Sequence, residues 1–224
     1  MVENLFYNTP ARLNYLKTSK TEYNHILNYL YEVALAYPRL GFEFYSDSKQ
    51  IFNFKEKENL KTRIYSVYGE EFAANLLEIN FDMIGINISG VISDPKISFP
   101  NRNRQNIFVN QRPIKSLIIS KAINDAYNRF IPNSSFPAYV LNITVDPTSI
   151  DVNVHPRKLE VRFENEQNIF KAVYHSIEEK LNNISLAENN YKPLEQKVED
   201  NSVEISNNLS QNKYFQPTKE NYYT

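Results

Sequence analysis

The sequence predicts an α+β domain, a mixed β-sheet with helices packed on one face. Three observations predict it. Strands are expected at 105–110 and 137–145 with a helix over 116–129 between them, part of a pattern of strands linked by helices that implies parallel pairing. Aromatic and apolar residues at Phe42, Phe44, Ile51, Phe52 and Phe54 flank Asp47-Ser48, which is a hairpin pattern. Segments 21–37 and 169–181 each hold one apolar stripe that needs a sheet or helix to cover it.

Taken in order, residues 1–8 read as a short β-like entry, and Pro10 suits a first helical turn. Over 21–37, Tyr23, Ile26, Leu27, Leu30, Val33, Ala34 and Tyr37 fall three and four apart, so a helix is expected. Ser19 and Glu22 form a candidate capping box, and Pro38 follows the end. The hairpin over 42–54 comes next. Residues 60–68 predict a short helix stopped by Gly69. Residues 83–92 read as one long strand, alternating at Ile84, Ile86 and Ile88, and 93–104 as a loop with two prolines. A strand at 105–110, a helix over 116–129 capped by Ser116 and a strand over 137–145 follow. In that last strand Tyr139, Leu141, Ile143 and Val145 share a face. Strands at 150–154 and 160–163 and a helix over 169–181 complete the domain. From about Ser185 the chain is Asn, Gln, Glu, Lys and Ser with scattered Tyr, too polar to offset chain entropy, so residues 185–224 are expected to be a disordered linker.

Composition narrows the function classes. The chain has 224 residues, suited to one core of about 180 residues plus a tail. With no cysteine there is no disulfide framework, zinc–thiolate site or thiol nucleophile. No run approaches the ~18 apolar residues of a membrane span, so no membrane partner is expected. A cytoplasmic location agrees with the absence of a basic-then-apolar leader at the N-terminus. A net charge of -1 gives the whole chain no general attraction for nucleic acid, so any such role rests on local charge.

Two local patterns hold chemistry. Between Ser93 and Phe130, seven bases (Lys96, Arg102, Arg104, Arg112, Lys115, Lys121 and Arg129) face two acids (Asp94 and Asp125), a local charge of +5. Such a stretch suits sequence-independent contact with backbone phosphates; a solvated loop beside a charged helix face is an equal alternative on the residues alone. The stretch Val152-Asn153-Val154-His155-Pro156-Arg157-Lys158-Leu159-Glu160-Val161-Arg162-Phe163 reads as strand, break, strand, with Arg157 and Lys158 on the break. A lysine there can reach a phosphate outside its own domain as a mobile point charge; a solvated turn lysine is the commoner outcome for the type. His25, His155 and His175 are too scattered for a ligand set, and no basic context marks any of the 16 tyrosines as a nucleophile. The four glycines, at 41, 69, 85 and 90, form no phosphate-cradling cluster.

The 152–163 stretch resembles the closing motif of the MutL mismatch-repair family. Two further segments agree with it in order and spacing: Leu5-Phe6-Tyr7-Asn8-Thr9-Pro10-Ala11-Arg12, running on through Lys20 to Ile26, and Phe108-Val109-Asn110-Gln111-Arg112. The resemblance spans residues 2–181. It implies the transducer fold of the second domain of gyrase B and MutL, with residues 1–18 ending an ATPase domain or its connection and 19–184 forming the transducer domain. It implies that Lys158 touches the terminal phosphate of ATP held in a neighbouring ATPase domain, and that Arg112, with Arg102, Arg104 and Lys115, binds double-stranded DNA. The family usually has Gly where this chain has Gln111, and a small residue where it has Arg157. ATP and Mg are implied only with that ATPase domain, whose DNGxG and glycine-rich lid motifs do not occur in these residues. No DQHAxxER-like endonuclease run occurs either. This chain alone is therefore expected to be inactive as an ATPase and monomeric, with MutS and the family's ATPase domain as partners. A stand-alone nucleic-acid-binding module of the same fold is the alternative. A type II topoisomerase transducer fits the motif wording less well.

Overall fold

A computed structural model describes residues 3, 5–83, 85–151 and 160–190, with side chains to Leu186. The N-terminal residues 5–8 form a turn rather than the expected β-like entry, because Phe6 takes a left-handed φ of 70° and breaks the extended run. Pro10 opens the short helix α1 (Pro10–Leu13) as its first residue. Helix α2 (Ser19–Ala36) begins one residue earlier than a Ser19 cap would place it: Thr18 is the cap, and its Oγ1 accepts from the Thr21 amide at 3.3 Å. Glu22 reaches back to the Lys17 amide at 2.9 Å, so the acid ties down the residue just before the cap.

Strands β1 (Phe42–Ser46) and β2 (Lys49–Phe54) pair as the expected hairpin. Asp47 and Ser48 both have positive φ, the backbone of a type I′ turn. Its apolar face lies on α2 through Tyr23–Phe44 and Tyr31–Phe52 ring contacts, and Phe52 stacks on Phe54 at 4.3 Å. Helix α3 (Leu60–Tyr68), capped by Asn59, ends at Gly69 with φ +85°, and α4 (Glu70–Ala74) follows directly.

The long strand expected over 83–92 is instead the second half of a hairpin. Strand β3 (Leu76–Met83) pairs antiparallel with β4 (Ile86–Ser93), and Met83 faces Ile86 across a two-residue turn holding Gly85 at φ +73°. Apolar alternation runs through both arms, so period alone does not reveal the reversal; the glycine does. Strand β5 (Gln105–Val109) forms a second tight hairpin with β6 (Arg112–Ile114), helix α5 (Leu117–Tyr127) follows its Ser116 cap, and β7 (Tyr139–Thr144) returns parallel to β5. The sheet order is β3-β4-β7-β5-β6, mixed as predicted. The two-residue strands β8 (Ile150–Asp151) and β9 (Arg162–Phe163) pair antiparallel, and α6 (Glu166–Asn190) closes the described chain. The last helix runs past the expected 169–181, and residues 185–190, expected to begin the linker, continue it as backbone helix; residues 152–159 and 191–224 lie outside the described residues, as do the strand expected at 152–154 and the rest of the expected linker.

Helices α5 and α6 cover one sheet face, burying Ile88, Ile92, Ile107, Val109, Leu141 and Ile143 against Ile119, Ile123, Val173 and Ile177. The alternate residues Val91, Phe108 and Val140 meet Leu35, Ile64, Phe72 and Phe99 on the opposite face. The central strands are thus apolar on both sides, and α2, α3 and α4 add a second, partial cover to the one-sided packing that the sequence suggested.

Candidate nucleic-acid interface

The hairpin of β5 and β6 disperses the basic stretch. Arg112 pairs with Val109 and Ile114 with Ile107, so Arg112 shares the face that α5 and α6 pack against. Arg104 immediately precedes β5, five residues from Val109, or roughly 17 Å along the strand. Its guanidinium lies 4.3 Å from the Phe99 ring on the opposite face, and its Nε is buried without a hydrogen-bond partner. Arg102 stacks beside it on Phe136 at 4.5 Å. These two arginines sit where residues 99 and 136 bridge the loops at that end of the sheet. Lys115, one residue past Ile114, returns to the Arg104 end and faces Glu32 of α2. The structure therefore brings Arg102, Arg104 and Lys115 toward one end of β5 and sets Arg112 at the other. Arg104 and Arg112 thus differ in face as well as in position along the strand.

Other bases of the stretch are engaged. Lys121 pairs with Asp125 at 2.6 Å and Arg129 with Glu178 at 3.2 Å, so both cations are offset by acids. At the Arg104 end, sequence reasoning missed a polar cluster. Asn106 donates to the Tyr68 hydroxyl at 2.7 Å. Burial pushes the Glu32 carboxyl up, with Lys115 pulling against it, and burial likewise raises the Tyr68 phenol, which also feels Glu32 and Arg104. An acid among these bases competes with phosphate. Substituting Glu32→Gln should tighten duplex binding about two- to threefold at low salt, with the gain vanishing at high salt. The raised carboxyl takes its proton above the usual carboxylate range, so wild-type affinity should climb as pH falls into that window while the glutamine variant stays flat. Equal affinities measured by fluorescence anisotropy at neutral pH and low salt would rule the competition out.

At the opposite end, Arg112 follows a tightly held turn. Asn110 and Gln111 both have positive φ (49° and 65°), again a type I′ turn, although Gln is a poor occupant of that backbone. The turn persists because its polar groups are anchored to Asn142 of β7 and to Val145 just past that strand. Strands β8 and β9 lie on either side of residues 152–159 in the sequence. Phe163 is buried in the core, Ile150 and Val161 pack beside it, and the Glu164 amide donates to the Ser149 carbonyl at 2.9 Å. Lys158, with Arg157 and His155, lies outside the described residues.

The remaining candidates fall to structural roles. Tyr127 and Tyr139 are buried, and burial pushes Tyr139 up to about 12, which opposes a nucleophilic phenolate. Tyr127 donates to the Ser93 carbonyl. His25 and His175 are exposed, and no group of three metal-capable residues occurs among those described. No described helix is long and apolar enough to cross a membrane.

Comparison with known proteins decides the family. The profile described as "DNA mismatch repair protein, C-terminal domain" matches residues 64–182. The DNA mismatch repair protein MutL of Pelodictyon phaeoclathratiforme is 38% identical over 173 residues, 77% of this chain. The chain belongs to the MutL family. Among solved structures, the N-terminal domain of a DNA repair protein superposes with a TM-score of 0.64 at 25% identity, covering 81% of this chain and 60% of that one. The Aquifex aeolicus MutL ATPase domain complexed with ADP superposes at 0.50 and 25% identity, covering 65% of this chain and 52% of its own. The α+β transducer architecture expected from the resemblance is the one observed. This chain spans 28–32% of the length of the MutL relatives that it matches. The segment Phe108–Arg112 spans the turn of the β5–β6 hairpin, and Leu5–Arg12 runs through a turn into α1.

Proposed function

We propose that this chain works in DNA mismatch repair as a MutL-type transducer, coupling nucleotide state in an adjoining ATPase domain to DNA binding and partner signalling. The observation that best supports this reading is the anchored β5–β6 turn, which fixes the base of Arg112 in a chain of the MutL family. Arg112 holds one phosphate, and Arg102, Arg104 and Lys115 supply a second charged end at the far end of β5. Residues 1–18 form the end of the ATPase domain or its connection, residues 19 to the end of α6 the transducer, and the residues after α6 the linker. ATP and Mg bind in the ATPase domain, and Lys158 reaches that site as a cation at the terminal phosphate. Double-stranded DNA and MutS are the partners, the location is cytoplasmic, and this segment is a monomer.

Two measurements test the reading. Arg112→Glu should weaken binding of a mixed-sequence duplex about tenfold or more at low salt and flatten the salt dependence, since one phosphate contact contributes a slope of about 0.9. Matching affinities at low salt would remove DNA from the role of that turn. With a MutL ATPase domain fused ahead of the chain, Lys158→Ala should lower ATP hydrolysis about 10²-fold, the scale for losing one donor to developing charge. A fusion indifferent to the substitution would make Lys158 a turn residue and favour a stand-alone nucleic-acid module.

A further inference from the structure

Left-handed backbone at a glutamine is unfavourable, because the Cβ crowds the following carbonyl, and a loop with Gln at the second position of a type I′ turn should loosen. The Asn110–Gln111 turn is nevertheless held at four points. The Asn110 amide donates to the Ile143 carbonyl at 3.0 Å. Its side chain donates to the Val145 carbonyl and accepts from the Val145 amide, both at 3.1 Å, extending the β5–β7 pairing by one residue through a carboxamide. The Gln111 amide donates to Asn142 Oδ1 at 2.9 Å, and Asn142 is itself oriented by Nδ2 donating to Thr144 Oγ1 at 3.1 Å. Asn142 sits on β7 directly beside Phe108 in the parallel register, so the central strand, not the loop, sets where the turn ends.

We propose that Asn142 is a positioning residue for Arg112: its carboxamide holds Gln111 in the left-handed conformation and thereby aims the next side chain at a phosphate. The inference rests on the reading that Arg112 contacts DNA. It also gives Gln111 a physical account. A glycine would adopt this φ unaided, whereas glutamine needs an acceptor for its amide at this point. Asn110 and Thr144 belong to the same device, one fixing the turn's entry and the other fixing the rotamer of Asn142.

The test uses the full 224-residue chain and fluorescence anisotropy with a mixed-sequence duplex across a salt series. Asn142→Ala should weaken binding about three- to tenfold and lower the salt slope by about one, as loss of a single phosphate contact does. Adding Gln111→Gly to Asn142→Ala should restore both quantities. Combining Asn142→Ala with Arg112→Ala should bind no more weakly than Arg112→Ala alone. If Asn142→Ala does not fold, Thr144→Val should produce a smaller loss in the same direction, again reversed by Gln111→Gly. Wild-type binding by Asn142→Ala beside a weakened Arg112→Ala would overturn the positioning role. So would additive losses, or a failure of glycine to rescue. Wild-type binding by Arg112→Ala would overturn the DNA reading itself and this inference with it.

Discussion

Arg63→Met should cost the fold about 4 kcal/mol, seen as a large drop in urea midpoint by circular dichroism. Arg63 is fully buried on α3, yet every part of its fork is used. Its Nε pairs with Glu58 at 2.8 Å, Nη1 donates to the Ala34 carbonyl at 3.0 Å, and Nη2 is shared by the carbonyls of Pro38, Leu40 and Lys55 at 2.8 to 3.0 Å. The same guanidinium lies 4.9 Å from the Phe54 ring and 5.6 Å from Phe42. One residue therefore ties the end of α2, the loop after it and the end of the β1–β2 hairpin to α3. Methionine fills the volume but leaves a carboxylate and several carbonyls without donors, each costing about 1–3 kcal/mol if not rehydrated. Arg63→Lys should fare almost as badly, because a single ammonium cannot reproduce a planar five-donor fork. Pairing Arg63→Met with Glu58→Gln should recover part of the loss by removing the orphaned charge. A single variant within about 1 kcal/mol of wild type would show that the aromatic layer, not the fork, holds these elements together.

Arg63 also marks a limit of sequence reading. On the sequence it is one base inside a nine-residue helix, and helical period places it without revealing what it touches. Elements with a strong local signature were legible: Asp47-Ser48 as a hairpin turn, Gly69 as a helix stop, Ser116 as a cap, and β7 from the shared face of Tyr139, Leu141 and Ile143. The β3–β4 hairpin was not, because both arms alternate and their turn is only two residues long. Arg112, Arg104 and Lys115 could be named from composition and motif. Their separation onto opposite faces could not, since it depends on β6, a three-residue strand that reverses direction at Asn110–Gln111. The roles of Glu32, Tyr68 and Asn142 arise from contacts across 31 or more residues or between separate elements, and no local pattern encodes them.

Gly90→Ala is expected to cost about 3–5 kcal/mol, combining overpacking with backbone strain. A Cβ built at Gly90 would lie 2.1 Å from the Val140 carbonyl oxygen and 3.1 Å from the Leu141 Cα, and φ is +132°, where L side chains are strained. The obstacles are backbone atoms of β7, so relief requires moving the central strand rather than rotating a side chain. Gly90 faces Leu141 in the β4–β7 register, one residue before Asn142. It also lines a cavity of about 300 Å³ with Val140, Asn142 and Gln111. Displacing β7 would withdraw the Asn142 acceptor from the Gln111 amide. The variant should accordingly lose DNA affinity even at temperatures where circular dichroism shows it folded, and Gln111→Gly should return part of that affinity without raising the melting temperature. A folded Gly90→Ala protein with normal stability and normal binding would mean that β4 and β7 separate freely at this point, and that the close approach of the two strands does not set the turn.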